Sequence, residues 1–418
     1  MSRWSDDSFL DSLMRQGDAL ADATVAALVA SSGIDAVNRS FAYLQANDDP
    51  IPEDAPVSFR LFCKQTMHLP EGVDMQRIDR GEQALMSYIL ESGVMMLCRS
   101  LPEGYASPRL SQVLCISNDL GNATYNRVLG VVQMLINIGT KHGFEEEGYA
   151  IITAQKMRLM HAGARRVAHQ YLPNFKARLG GEPISLEDML GTLMGFSLLA
   201  IDGLETLDIG LSPEQAEDIY YLWQVMGVML GIHPPVEAGQ SATFEYIPED
   251  LTSAREFYRS YARRHYVNAD ENPEGCYLAA ADLHMMVQLM HPVLRFISLG
   301  LIPRLIMQDV MGEEAMRRVK LKPVPLYPLL KGVFLDLPLR LDKMLHSSKR
   351  SPTGHFAAHI LEDMVVWKYG QPVGFDIPTD LSTLEALSLN KAKPCLEHGA
   401  YADLTEIRER RRAAKSQM

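Results

Sequence analysis

The chain has few of the features that assign a protein to a simple functional class. Only five of its 418 residues are cysteine (Cys63, Cys98, Cys115, Cys276 and Cys395), an odd number, widely scattered and without a Cys-x-x-Cys pair. A zinc ribbon or a dithiol redox site is not expected, and a reducing, intracellular compartment is. Cys63, Cys98 and Cys115 stand among apolar residues and read as small core side chains. A basic excess is also missing. The net charge of −12 leaves nothing to neutralise phosphates, so no nucleic-acid partner is expected. The one basic run, EIRERRRAAKSQM at 406–418, is interrupted by Glu406 and Glu409 and reads as a solvated helix end.

Long apolar runs are equally scarce. The longest uncharged stretch, YLWQVMGVMLGIHPPV, is short for a membrane span and is broken by Pro234 and Pro235. Asp6, Asp7 and Asp11 occupy the region where a secretion signal needs a basic start and an apolar centre. The expectation is a soluble, cytoplasmic protein. No Gly-x-Gly-x-x-Gly, Gly-x-x-x-x-Gly-Lys-Ser/Thr or Gly-x-Ser-x-Gly motif is present, which removes the common dinucleotide, phosphate-loop and hydrolase signatures. The absence of any Glu-x-x-His pair removes the usual carboxylate-bridged di-iron bundle.

Present instead is a helical pattern along nearly the whole chain. Apolar residues recur at three- and four-residue spacing in 9–31, 83–98, 123–139, 150–171, 186–204, 213–231, 251–264, 277–295 and 354–367, while strict alternation is missing. Ser185 with Asp188 forms a capping-box-like start, which Gly203 would end; Ser212-Pro213-Glu214 starts another helix, closed by Gly231. Glu145–Glu147 reads as a solvated helix start, and LPEGYASPRL as turns. With 47% hydrophobic and 22% charged residues, the composition is that of a globular chain. The prediction is all-α: one large helical domain over 1–418, its core at about 80–320 and its C-terminal third, 321–418, irregular and Pro-rich. The 23 methionines, among them Met157, Met160, Met189, Met194, Met226, Met229, Met285, Met286 and Met290, suit adaptable packing and, as a set, a wide apolar cavity.

Two histidine constellations could carry chemistry. In AQKMRLMHAGARR, residues 154–166, helical spacing places Arg158, His161 and Arg165 along one stripe, with Met157, Met160 and Ala164 close by. Ala162, Gly163 and Ala164 would let a flat body approach the backbone. A haem needs such an arrangement, with an imidazole for the iron and cations for the propionates. The same spacing also suits a plain core or surface histidine. In HFAAHILEDM, His355 and His359 stand four apart, able to share a metal ion with Glu362 or Asp363. Phe356 occupies the position where zinc proteases carry their glutamate, so the hydrolytic motif fails.

KMRLMHAGARR, followed in order by PISLEDMLGTLMGFS, DGLETLDIGLSPEQAEDIYYLW and GVMLGI, resembles the haem-b oxygenases that include latex-clearing proteins (rubber oxygenases) and the oxygenase of the fungal mycophenolic acid pathway. The likeness is unbroken for about 110 residues and looser from about 80 to 320. It implies an all-helical fold related to globins, a b-type haem held from the proximal side by His161, and use of O2 to cleave isoprenoid double bonds. Rubber oxygenases carry a distal arginine followed by a Lys-Thr pair. The arginine falls in register with Arg127, but the Lys and Thr positions are Gly130 and Val131. The distal site is therefore expected to be more open to O2, water or substrate, and rubber is not the expected substrate.

The resulting reading is a haem-b oxygenase acting with O2 on a small apolar substrate of isoprenoid or terpenoid kind. Arg127 would assist bound O2, and Arg158, Arg165 and Arg166 would pair propionates or anchor the helix. Helices 186–201 and 219–231 would supply apolar walls. Three rivals stay open: haem chemistry of peroxidase, dehydratase or rearrangement type, a haem carrier or gas sensor, and non-haem metal chemistry at His355 and His359. Oligomeric state leaves no mark in the sequence.

Overall fold

Capping residues and proline positions divide the chain into helices, as a computed structural model shows for residues 2–33, 35–117, 123–236, 240–290 and 292–337. The first group is α1 (Asp7–Met14), α2 (Ala19–Ser32), α3 (Asp35–Phe41), α4 (Val57–Thr66) and α5 (Met75–Ser87). Then come α6 (Ile89–Met95), α7 (Leu101–Gly104), α8 (Pro108–Ser117), α9 (Ala123–Gly139), α10 (Ala150–Tyr171) and α11 (Phe175–Leu179). The remainder are α12 (Leu186–Phe196), α13 (Leu198–Thr206), α14 (Pro213–Met229), α15 (Leu251–His265), α16 (Pro273–Leu289), α17 (Pro292–Ile297), α18 (Ile302–Arg318) and α19 (Tyr327–Lys331). No strand occurs among the described residues. His355, His359, Glu362 and Asp363, the expected helix 354–367 and most of the expected irregular third lie outside them.

Local signals place several boundaries. Ser185 and Asp188 form the expected capping box at α12, and Ser212 with Gln215 forms one at α14, where Pro213 takes the first turn. The periods 123–139 and 150–171 coincide with α9 and α10. Elsewhere tertiary packing overrides periodicity. The stretch 9–31 is two helices, because Asp18 caps α2 by accepting from the Ala21 amide at 3.1 Å. The stretch 83–98 is interrupted at Tyr88, and Met75–Ser87 and Ile89–Gly104 bend by 76° across that break. No single helix among the described residues is long and apolar enough to cross a membrane.

Three expectations are corrected. Gly203 does not end a helix; the break falls at Ser197, and α13 runs on through Gly203 because a Cβ there would stand 2.6 Å from Met95 Sδ. LPEGYASPRL is mostly helical, with Leu101–Gly104 in α7 and Pro108 opening α8. Glu145–Glu147 is an exposed turn ahead of α10 rather than its first turn.

The largest core gathers Trp4, Leu10 and Leu13 from the N-terminal segment with Leu190, Met194, Trp223, Met226 and Phe257. Met189, Met194, Met226 and Met229 all serve there as packing residues. A second core joins Cys98, Leu204, Leu278 and Met307, and a third packs Ala21, Val25 and Leu28 of α2 on Ile152, Leu159 and Ala162 of α10. Cys63, Cys98 and Cys115 are buried and unbridged, as expected. These contacts hold α10 between α2 on one side and α9 on the other.

Candidate functional site

The helix that carries His161 is 22 residues long and built largely from alanine, methionine, leucine, arginine and glutamine, all good helix formers. Most of it is buried, but Met157, Met160 and His161 keep partial exposure midway along its length. At about 100° per residue these positions share one face with Ala164, which is 8% exposed. His161 lies deep in the protein yet retains some accessible surface.

The neighbouring helix α9 is bonded to α10 through a buried polar pair. Asn137 on α9 donates to Thr153 Oγ1 on α10 at 2.9 Å, and both residues are buried. Two turns away along each helix stand Gly130 and Met160–His161, which are half-buried. A Cβ added at Gly130 would meet nothing within 4 Å. Asn137–Thr153 thus joins the two helices, and Gly130 and His161 each stand about two turns from that bond along their own helix.

The imidazole is chemically free to act as a ligand. Its Nδ1 is buried without a hydrogen-bond partner, and no described residue bonds to the ring. Burial pushes its pKa down to about 4, and the nearby Arg165 cation adds to the shift while Asp18 opposes it. At neutral pH the ring is uncharged and keeps a lone pair, the state a metal ligand requires. A deeply placed imidazole with an unpartnered Nδ1, on a helix face shared with Met157 and Met160, fits a haem ligand.

The flanking arginines are arranged otherwise. Arg158 donates from Nε and Nη2 to the two oxygens of Asp18 at 2.6 and 2.9 Å. Arg165 donates to Asp22 and to the carbonyls of Pro183 at 3.0 Å and Ile184 at 2.8 Å. Both guanidiniums are therefore committed to the protein. Of the two roles open to them, these bonds serve helix anchoring. Arg166 is exposed. Arg127 sits on α9, three residues before Gly130, and its side chain lies outside the described residues.

Asp18 and Asp22 are missing from the sequence reading. The only signal for them is an i,i+4 carboxylate pair at a helix start, complementary to an i,i+7 arginine pair on another helix. A further buried pair locks the start of α8 to the capping box of α12: Arg109 donates to Asp188 at 2.8 and 2.7 Å, and also to the carbonyls of Leu179 and Glu182.

Comparison with known proteins agrees with this geometry. The family described as ER-bound oxygenase mpaB/B'/Rubber oxygenase, catalytic domain, matches residues 90–322, more than half of the chain and all of α9 and α10. The chain is 26% identical over 239 residues to the rubber oxygenase of Streptomyces sp. (strain K30), covering 57% of this chain and 56% of that protein. It thus spans about half the length of that curated relative. The solved structure of latex clearing protein in its closed state superposes with a TM-score of 0.67 at 22% identity, covering 82% of this chain and 88% of the other. That similarity establishes the shared all-helical fold. His161 lies inside the matched region, and the chain belongs to the mpaB/B' and rubber oxygenase catalytic-domain family.

Proposed function

We propose that this protein is a haem-b oxygenase that uses O2 to oxidise a small apolar substrate of the isoprenoid or terpenoid class, with His161 as the proximal iron ligand. The observation that carries the reading is the His161 ring itself, whose buried Nδ1 has no hydrogen-bond partner and whose pKa burial lowers to about 4. When bound, haem b supplies an iron centre able to bind and activate O2 for attack on a carbon–carbon double bond.

The chain's own residues supply the setting. His161 holds the iron side, and Met157, Met160 and Ala164 give an apolar, water-poor surface beside it. Gly130, where a Cβ would meet nothing within 4 Å, is proposed to leave room for O2 and substrate. Arg127, just under one turn from Gly130, is proposed as the hydrogen-bond donor toward bound O2. Gly130 and Val131 stand where the resemblance expects lysine and threonine, so a small substrate is proposed rather than polyisoprene.

The test is an absorption spectrum of the purified full chain together with His161→Ala, then O2 uptake with small isoprenoid alkenes. The expected result is a Soret band that His161→Ala loses, and alkene-dependent O2 consumption. A wild-type protein without a Soret band under adequate haem supply overturns the reading. Reversible O2 binding without turnover of any alkene would leave a haem carrier.

A further inference from the structure

The surroundings of His161 divide by helix face. At about 100° per residue, Arg158 and Arg165 project to one flank of the His161 direction, and Met157 and Ala164 to the other. The arginine flank is closed by α2. Asp18 receives the paired bonds of Arg158, and Asp22 one bond of Arg165, while the carbonyls of Pro183 and Ile184 take the rest of that guanidinium. Both arginines and Asp18 are buried. Two glycines make space for this contact. A Cβ on Gly17 would stand 2.9 Å from Arg165 Nε, and one on Gly231 3.0 Å from Asp18 Oδ2. Gly231 also has a φ of +90°, which favours glycine independently. The α2 helix lies outside residues 90–322, the part of the chain that the family match covers.

Resting on the haem reading above, we propose that Asp18 and Asp22 are positioning residues for His161. Their pairs with Arg158 and Arg165 fix the rotation of α10 about its axis and cancel two positive charges within about one turn of the ring. A side-chain atom roughly 6 Å from a helix axis moves about 1 Å for each 10° of rotation, enough to spoil the geometry of a metal ligand. Two clamps, one on each side of His161 along the helix, resist that rotation better than one. The charge balance matters separately. Removing one carboxylate leaves a cation unmatched in a low-dielectric interior, which favours the less positive, reduced state of a nearby iron.

The experiment compares the full-length, haem-loaded wild type with Asp18→Asn, Asp22→Asn and the double variant Asp18→Asn/Arg158→Gln. The readouts are midpoint potential, Soret position and rate of haem loss. Each single variant is expected to raise the midpoint potential and to speed haem loss by about 10- to 100-fold, the usual effect of removing a ligand's outer support. The double variant restores charge balance and is expected to return the potential toward the wild-type value. Wild-type potential and haem retention in both single variants overturn the proposal. A double variant with a potential as displaced as Asp18→Asn overturns its electrostatic half. If Asp18→Asn fails to fold, Asp22→Asn carries the test, because that carboxylate is 37% exposed and its loss is milder. Should the wild type hold no haem, the functional reading fails by itself. The clamp is then read on the haem-free chain, where Asp22→Asn is expected to accelerate amide exchange over 157–165 and to move the His161 ring signals. Unchanged exchange and ring signals overturn it.

Discussion

The Asn137 side-chain amide donates to Thr153 Oγ1 at 2.9 Å and thereby ties α9 to α10. Gln133 supports it by donating to Asn137 Oδ1 at 3.0 Å, and Thr153 in turn donates to the Tyr149 carbonyl at 2.6 Å. This polar ladder fixes the register of α9 against α10. Asn137→Ala is expected to lower stability by about 1–3 kcal/mol, the cost of leaving buried polar groups unmatched. Its effect should be non-additive with that of Thr153→Val. Urea denaturation of the two single variants and the double variant checks both points; strict additivity would show that the bond does not couple the helices.

Gly130→Phe separates room from stability. A Cβ there meets nothing within 4 Å, and glycine inside a helix costs roughly 1 kcal/mol relative to alanine. The variant should therefore be at least as stable as the wild type while losing O2 uptake and binding carbon monoxide more slowly. A variant that is destabilised yet binds carbon monoxide at the wild-type rate would place the open space elsewhere.

The Arg109–Asp188 pair predicts an acid limb of stability. Burial pushes the Asp188 carboxyl upward, but the Arg109 charge and its paired hydrogen bonds outweigh this and hold it below the usual value of 3.8. A depressed carboxyl stabilises the fold above its unfolded pKa, and that contribution is lost as pH falls through the lower, folded value. Asp188→Asn leaves Arg109 buried without its counter-charge and should cost about 3–5 kcal/mol at neutral pH. The difference from wild type should shrink below about pH 4. Thermal melts across pH 2.5–7 measure it; a constant difference would refute the linkage.

Glu82 predicts the opposite slope. Burial raises its pKa to about 7, although the amides of His142 and Gly143 pull it back by donating to the carboxylate at 2.9 and 3.1 Å. From about pH 4.5 upward the unfolded chain ionises this group before the folded one does, so stability falls as pH rises and the loss is complete above about 7. Glu82→Gln removes the titration. Relative to wild type, the variant should gain stability between pH 4.5 and pH 8 (roughly the span between the two pKa values), as read from denaturation midpoints at both ends. A flat difference would mean that the carboxyl titrates normally.

Much of the architecture is legible in the chain itself. The bounds of α9 and α10 follow from uninterrupted helical periods, and the starts of α12 and α14 from Ser185 and Ser212 with their reciprocal caps. His161 stands out through its neighbours at three- and four-residue spacing, because helix geometry relates such positions without reference to the rest of the fold. The chain also dictates that Gly130 and Val131 replace the groups that the resemblance would have supplied.

What Arg158 and Arg165 do is a different matter. Their spacing alone suits a propionate as well as a carboxylate, and their partners lie 140 and 143 residues away. Only packing α2 against α10 brings Asp18 and Asp22 to those guanidiniums. Periodicity likewise misses the breaks at Tyr88 and Ser197, where contacts between distant helices outweigh local helix preference. Local preferences are worth tenths of a kcal/mol per residue, whereas a buried ion pair or a close helix contact carries several times that and depends on the whole chain being folded. The histidine of AQKMRLMHAGARR is thus nominated by short-range geometry, and its buried, unpartnered state is a property of the tertiary structure alone.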